Sequence, residues 1–165
     1  MVFTTVAAIA HPLGNFTINH FVRIQLERER VGIHYAVDTD EIPTFRSCKR
    51  LTLMETAKAS STELNAYLER VTPQYVDGIM LTGDGSQIML KTIAKQVTTL
   101  PGVGGLPTLR VEADFAGILP TNNSSTLYRL SFENTNHRDR IGWHELVVAP
   151  AAGVTSSTAL RLAMP

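Results

Sequence analysis

Histidine is the residue type in this sequence that is best suited to metal chemistry, and the chain of 165 residues contains five: His11, His20, His34, His137 and His144. Imidazole nitrogen is a common ligand of copper and nickel in proteins. Cleavage before His11 would create an N-terminal histidine with two donors, its free amine and its ring nitrogen, and His20 could add a third. Pro12 has no amide N–H, which excludes a site built from successive backbone nitrogens. We therefore expect His11 and His20 to be side-chain ligands of a nickel, cobalt or copper ion.

His20 also has a simpler interpretation. It falls on the apolar face of a predicted strand, where a lone histidine is usually a hydrogen-bonded core residue. Asp38 is a third candidate ligand, because it stands with Asp40 and Glu41 in a group of carboxylates that could suit a cation. The alternative is a solvated turn whose negative charges favour the N-terminus of a following helix. The predicted strand pairing places Asp38 beside Asn19 and not beside His20.

The remaining polar segments give weaker indications. The segment from Asn134 to Arg140 is either a ligand-binding loop or a hydrogen-bonded surface turn. Residues 101–105 form a glycine-rich loop without the Lys-Ser/Thr ending of a phosphate-binding loop. The sequence contains no nucleophile elbow, zinc-protease helix or dinucleotide fingerprint. We therefore expect a protein that is not an enzyme and that carries no organic cofactor.

Composition excludes further classes. Fifteen basic and fifteen acidic residues cancel, so there is no electrostatic indication of nucleic-acid binding. The single cysteine, Cys48, cannot form an internal disulfide or a zinc knuckle. No segment approaches the roughly 20 apolar residues of a membrane-spanning helix. Residues 1–10 are short and uncharged and end in Ala8-Ile9-Ala10, so they resemble either the end of a secretory signal or an ordinary N-terminal strand.

Alternation of apolar and polar residues predicts an antiparallel hairpin over residues 16–37. Pairing Leu26 with Val31 across the charged residues 27–30 puts all the apolar side chains of both strands on one face. A second hairpin is expected at Asp84-Gly85, since this pair favours the positive φ angles of tight turns. Further short strands are expected at 108–115, 127–132 and 145–148.

Between these strands, residues 42–72 are predicted to form a helical insert. Ser60 and Glu63 have the spacing of a capping box, and the helix from about 62 to 71 should end before Pro73. Repeated short strands favour an antiparallel β-sandwich of the immunoglobulin-like type. The fold class is therefore mainly β with a helical insert: one domain over 11–149, preceded by the signal-like residues 1–10 and followed by a linker or tail at 150–165.

The decapeptide HPLGNFTINH at 11–20 resembles the start of the soluble extracytoplasmic domain that precedes the membrane helices in some bacterial nickel/cobalt permeases. The resemblance continues through VDTDEIPTF at 37–45 and GGLPTLR at 104–110, and it ends with RIGWHELVV at 140–148. It covers nearly all of residues 11–148. It implies an extracytoplasmic domain that works with a membrane permease, in the same chain or in another, and that captures or senses a metal.

Two hypotheses of different classes follow. In the first, the chain is an accessory domain of a nickel/cobalt-type transport system and binds a transition metal through His11 and His20. In the second, it is a structural module of the bacterial envelope that contacts a partner without binding metal. Catalysis is the least favoured, because no arrangement of nucleophile, base and orienting group can be placed from the sequence.

Overall fold

The computed structural model describes residues 16–47, 60–120 and 129–156, excluding the side chains of Phe45 and Ser47. The signal-like residues 1–10, His11 and Cys48 lie outside these ranges. The described residues are mainly β and form two sheets. The elements of these ranges are, in chain order, β1 (Ile18–Leu26), β2 (Arg30–Thr39), α1 (Glu41–Ser47), α2 (Ser61–Asp77), β3 (Ile79–Gly83), β4 (Ser86–Gln87), β5 (Lys91–Pro101), a 3-10 turn (Val103–Gly105), β6 (Pro107–Ile118), β7 (Leu130–Asn134) and β8 (His144–Pro150).

The hairpin of β1 and β2 has the predicted register, with Leu26 opposite Val31 and His20 opposite Val37. Every second residue is buried from Ile18 to Ile24 and from Val31 to Thr39, so these side chains share one face of the hairpin. Glu27 and Arg30 form an ion pair across the turn. This hairpin lies inside a five-stranded sheet of order β5-β6-β2-β1-β8, so both of its strands are paired on both sides.

Two features of this sheet differ from the expected antiparallel arrangement. Strand β8 pairs with β1 in parallel, with His20 opposite His144 and Leu26 opposite Pro150. Strand β5, at the other edge, was not predicted at all. Its residues are mostly exposed and lack an alternating apolar pattern, and a register shift interrupts it between Thr92 and Ala94. Its long pairing with β6 defines it, and local sequence does not reveal such pairing.

The helical insert is present, but the prediction that α2 ends before Pro73 is wrong. The helix begins with the predicted capping box, in which the Ser60 hydroxyl accepts from the Glu63 N–H, and it continues through Pro73 to Asp77. A proline inside a helix removes one hydrogen bond and costs about 3 kcal/mol. The continued helix offsets this cost by burying Tyr75, whose ring meets that of Tyr35 edge-on with centroids 5.6 Å apart.

The smaller sheet has the order β4-β3-β7. Its β3–β4 hairpin turns at Asp84 and Gly85, both with positive φ as predicted. Strands β7 and β8 lie within a few residues of the strands expected at 127–132 and 145–148. One apolar core joins residues of both sheets and of α2, including Ile33, Leu81 and Val71. Across the described ranges, no helix is long and apolar enough to cross a bilayer.

Candidate functional site

Three histidine side chains meet at the β1–β8 edge of the five-stranded sheet. His20 belongs to β1, His144 is the first residue of β8, and His137 lies in the turn between β7 and β8. The rings of His20 and His144 stack with centroids 4.3 Å apart and planes only 6° from parallel. The His137 ring is 5.3 Å from that of His20 and is tilted by 55°. We call these three residues the histidine cluster.

Backbone pairing brings His144 onto His20. The N–H of Ile18 donates to the carbonyl of Ile141 and the N–H of His20 donates to that of Trp143, each at 2.9 Å, which extends the parallel ladder ahead of β8. Gly142 allows this approach, because a Cβ at that position would lie 1.8 Å from the carbonyl oxygen of Ile18. Gly142 therefore allows the segment before β8 to lie against β1, which places the His144 ring beside that of His20. Any other residue at this position would force the two strands apart.

His137 reaches the cluster from an uncommon backbone conformation. Its φ is +51°, in the left-handed region that non-glycine residues rarely occupy. The surrounding turn is held by the N–H of Arg140, which donates to the His137 carbonyl at 2.9 Å. The His137 ring also meets the ring of Tyr75 edge-on, with centroids 5.7 Å apart. This conformation keeps the imidazole pointed toward His20 rather than into solvent.

Only part of the hydrogen-bonding capacity of the cluster is used. His20 is fully buried, and its Nδ1 lies 2.6 Å from the Tyr35 hydroxyl, which also accepts from the Asn134 side-chain amide at 3.3 Å. Among the described residues, neither His20 Nε2 nor His137 Nδ1 has a hydrogen-bond partner, although both atoms are buried. An unsatisfied buried polar atom costs about 1–3 kcal/mol. The two atoms lie on neighbouring rings of the cluster.

The environment keeps all three imidazoles neutral near pH 7. Burial, together with repulsion from His144 and His137, lowers the pKa of His20 from 6.5 to about 3. Burial is also the largest cause of the lowered pKa of His137 and of His144. Neutral imidazole is the form that binds a metal. The cluster thus offers its nitrogens without first having to release protons.

The arrangement that is seen does not yet surround an ion. Among the described residues, no group of three or more His, Cys, Asp or Glu side chains is arranged to hold a metal. The stacked rings of His20 and His144 are the reason, because nitrogens in parallel planes do not point at one common atom. His144 is exposed, however, so its ring can rotate between staggered side-chain torsions at small cost. Such a rotation would allow it to face the unpartnered nitrogens of the other two rings.

Of the three predicted ligands, the structure describes His20 and Asp38, and it places these two apart. His11 lies outside the described residues, five positions before Phe16. Asp38 is on the opposite face of the sheet from His20 and forms an ion pair with Arg110 at 3.2 Å. Burial raises the pKa of the Asp38 carboxyl, and it outweighs the opposite effect of the nearby Arg110 guanidinium.

The other two carboxylates of the predicted acidic group also have internal partners. Asp40 accepts from the backbone N–H and the hydroxyl of Thr17. Glu41 is buried and accepts from the N–H of Val103 at 2.6 Å. The carboxylates of Asp38, Asp40 and Glu41 thus point to three different partners.

A second polar site lies on the outer face of the same sheet. An open cleft of about 190 Å³ is lined in part by His34, Lys95 and Glu112. His34 Nδ1 is 2.8 Å from Asp114, and the Gln96 amide donates to Glu112 at 2.7 Å. These groups pair with one another, and His34 is a half-exposed residue of β2. The cleft therefore gives no reason to place a ligand there.

Sequence reasoning noted His137 and His144 but did not bring them to His20. The available signals were Gly142, which indicates a close backbone approach, and the small strand at 145–148. Neither reveals that this strand pairs in parallel with β1 across more than 120 residues. Such pairing depends on tertiary contacts and not on local preference.

Comparisons of this chain with protein-family models, with curated proteins and with solved structures find no match. The functional argument therefore rests on the residues of the chain itself.

Proposed function

We propose that this chain is an extracytoplasmic accessory domain of a nickel/cobalt-type transport system, and that it binds or senses a transition metal at the histidine cluster. The observation that carries the proposal is the pair of buried ring nitrogens on His20 and His137, for which the described part of the chain supplies no hydrogen-bond partner. A third imidazole, His144, stacks on the first. The resemblance to the soluble region of nickel/cobalt permeases supports the same assignment.

The chemistry of the donors favours particular ions. Imidazole nitrogens suit copper, nickel, cobalt and zinc, whereas magnesium and calcium prefer oxygen. When metal binds His20 through Nε2, Nδ1 must carry the proton and donate it to the Tyr35 hydroxyl. Such an outer hydrogen bond orients a metal-binding histidine. His11 is a further ligand under this proposal if cleavage makes it the N-terminal residue.

The location and architecture belong to the same proposal. The signal-like ending Ala8-Ile9-Ala10 supports export from the cytoplasm, with a membrane permease as the partner in cis or in trans. We propose no catalytic role, because His20 Nε2 and His137 Nδ1 are better explained as ligands of a bound ion than as groups that take part in a reaction. The single core shared by both sheets supports a β-sandwich, with the parallel β1–β8 pair as a departure from the immunoglobulin-like pattern.

Calorimetric titration of the full chain with nickel, cobalt, copper and zinc tests this proposal. We expect about one ion per chain, and we expect His20→Ala, His137→Ala and His144→Ala each to weaken binding. His34→Ala is the matched control, since it removes an imidazole outside the cluster. Repeating the titration with a chain that begins at His11 measures the contribution of the new amino group.

Two results would overturn the metal assignment. One is the absence of heat with any of these ions at micromolar concentration. The other is binding that His137→Ala and His144→Ala leave unchanged while His34→Ala removes it. The second candidate function, an interaction module without metal, would then be preferred, because several large apolar side chains of the described residues are exposed.

A further inference from the structure

The spacing of the His20 and His137 rings limits the geometry of any ion that both residues could bind. Their ring centres are 5.3 Å apart. Each ring carries one buried nitrogen, His20 Nε2 or His137 Nδ1, for which the described residues supply no hydrogen-bond partner. If these two nitrogens bind one ion, the ring spacing sets the angle between the two metal–nitrogen bonds.

That angle follows from the dimensions of imidazole coordination. An imidazole binds a metal close to its own ring plane, so the ion lies almost on the line from the ring centre through the binding nitrogen. Metal–nitrogen bonds are about 2.0–2.1 Å long and the nitrogen lies about 1.1 Å from its ring centre, which puts the ion about 3.2 Å from each centre. Two ring centres 5.3 Å apart then subtend an angle of about 112° at the ion, which is close to the angle of a tetrahedron.

Other common coordination geometries do not fit the same ring spacing. Neighbouring ligands of a square-planar or octahedral ion meet at a right angle, which would need ring centres about 4.5 Å apart. Ligands on opposite sides of an ion would need ring centres about 6.4 Å apart. The observed 5.3 Å is therefore about 0.8 Å too long for the first arrangement and about 1.1 Å too short for the second.

Contacts on both rings oppose a shift of this size. His20 is fully buried in a strand that is paired on both sides, and its Nδ1 lies 2.6 Å from the Tyr35 hydroxyl. The His137 ring meets the Tyr75 ring edge-on, and the His137 carbonyl accepts from the Arg140 N–H. Protein interiors are closely packed, so a movement of about 0.8 Å would displace several of these groups.

His144 can add a third ligand without changing this angle. Its ring is parallel to that of His20, so it must rotate before it can bind the same ion. His144 is exposed, and such a rotation leaves the spacing of the other two rings as it is. A tetrahedral site with three histidine ligands keeps its fourth position for water or another donor.

Building on the proposed function, we infer that the histidine cluster is a tetrahedral site that selects zinc and cobalt(II) and discriminates against nickel. Zinc is bound in tetrahedral sites by histidine, and cobalt(II) readily takes the same geometry. Nickel(II) with nitrogen ligands favours square-planar geometry. A site without geometric constraint would have the opposite preference, because affinity for divalent ions ordinarily rises from cobalt to nickel. The order of these two ions therefore reports the geometry of the site.

Calorimetric titration of the full chain with zinc, cobalt or nickel measures this order. We expect the dissociation constant for cobalt to be about tenfold or more below that for nickel, which is the scale on which ligand orientation changes metal affinity. Visible absorption of the cobalt complex is a second measurement, since tetrahedral cobalt(II) absorbs much more strongly than octahedral cobalt(II). Copper is not informative, because it has the highest affinity of the series for most nitrogen sites.

Two conservative variants test whether the held rings set the geometry. Tyr35→Phe keeps the aromatic ring but removes the hydroxyl beside His20 Nδ1, so the ratio of the nickel and cobalt dissociation constants should fall toward one. Tyr67→Phe is the matched control, because it removes a buried hydroxyl of α2 and leaves the contact between Tyr35 and His20 in place. The ratio should stay at its wild-type value in this control. Circular dichroism of both variants checks that the fold is intact.

Three outcomes would overturn the tetrahedral assignment while leaving metal binding in place. The first is tighter binding of nickel than of cobalt. The second is a cobalt complex with the weak absorption of an octahedral ion. The third is a ratio of dissociation constants that Tyr35→Phe and Tyr67→Phe change equally. Binding of none of the three ions would overturn the proposed metal site itself and the assignment with it.

Discussion

Acid should destabilise the metal-free protein in a pH range where ordinary carboxylates are still ionised, because the histidine cluster stays neutral in the folded state. The pKa of His20 is about 3 in the folded protein and 6.5 in an unfolded chain. Between these values the unfolded state binds a proton that the folded state does not. The free energy of unfolding therefore falls as the pH drops below about 6.5 and stops falling near pH 3.

The size of the effect follows from the shift of His20 alone. At pH 5.5 the folded His20 remains unprotonated, whereas about nine in ten unfolded chains carry the proton. The free energy of unfolding should then be about 1.4 kcal/mol lower at pH 5.5 than at pH 7.5. This value applies to a fully buried side chain, and His20 is 0% exposed. His137 and His144 act in the same direction but contribute less, because they are more exposed.

Urea unfolding in the presence of chelator, followed by circular dichroism at pH 7.5, 6.5 and 5.5, measures this change. With an m-value of about 2 kcal/mol per molar, the midpoint should fall by about 0.7 M. The range ends at pH 5.5 because the raised pKa of Asp38 acts in the opposite sense: that carboxyl takes up its proton earlier in the folded state and so favours folding in acid.

Two variants separate His20 from other groups. His20→Gln keeps a neutral hydrogen-bonding side chain but cannot titrate, so most of the pH dependence should disappear. His34→Gln removes a histidine that pairs with Asp114 on the outer face, and it should leave the effect of the cluster in place. A wild-type midpoint that does not change with pH, or an equal pH dependence in His20→Gln, would refute the reasoning.

Three further predictions concern how the site and the β5–β6 loop are held. Gly142→Ala should lower the free energy of unfolding by about 2–4 kcal/mol and also weaken metal binding, because the new Cβ collides with the β1 backbone; urea unfolding with an unchanged midpoint would contradict this. Tyr35→Phe should weaken metal binding about tenfold in calorimetry, since it removes the acceptor that orients His20, and an unaltered dissociation constant would exclude that role. Glu41→Ala should lower stability by about 1–3 kcal/mol, because the Val103 N–H loses its buried acceptor, and a thermal midpoint equal to that of wild type would show that the contact contributes nothing.

Local patterns in the sequence predicted the parts of the fold that local physics determines. The β1–β2 register follows from alternation together with the charged turn, because a shift by one residue would expose every apolar side chain. The start of α2 follows from the hydrogen bonds between Ser60 and Glu63, and the β3–β4 turn follows from Asp84-Gly85. In each case the residues that carry the signal are within a few positions of one another.

The features that escaped prediction depend on distant partners. Strand β5 has no apolar alternation, and its partners are distant in sequence: it pairs with β6, and its Lys95 pairs with Glu69 of α2. Helix α2 passes through Pro73 because the burial of Tyr75 offsets the lost hydrogen bond. The parallel pairing of β8 with β1 places His144 opposite His20. No local sequence pattern predicts this pairing. The candidate site was missed for the same reason, since its geometry is a product of that pairing.

The histidine cluster contains features that lower the stability of the fold, and these features support a role in binding. A purely structural core at this edge would be more stable with aliphatic or aromatic side chains, which need no hydrogen-bond partners. The fold instead keeps two buried nitrogens that no described residue partners, and it holds His137 in the left-handed region, where a non-glycine residue costs about 1 kcal/mol or more. Costs of this kind concentrate where a protein binds something. Under the proposed function, the three neutral imidazoles that meet there would recover these costs by binding a transition-metal ion.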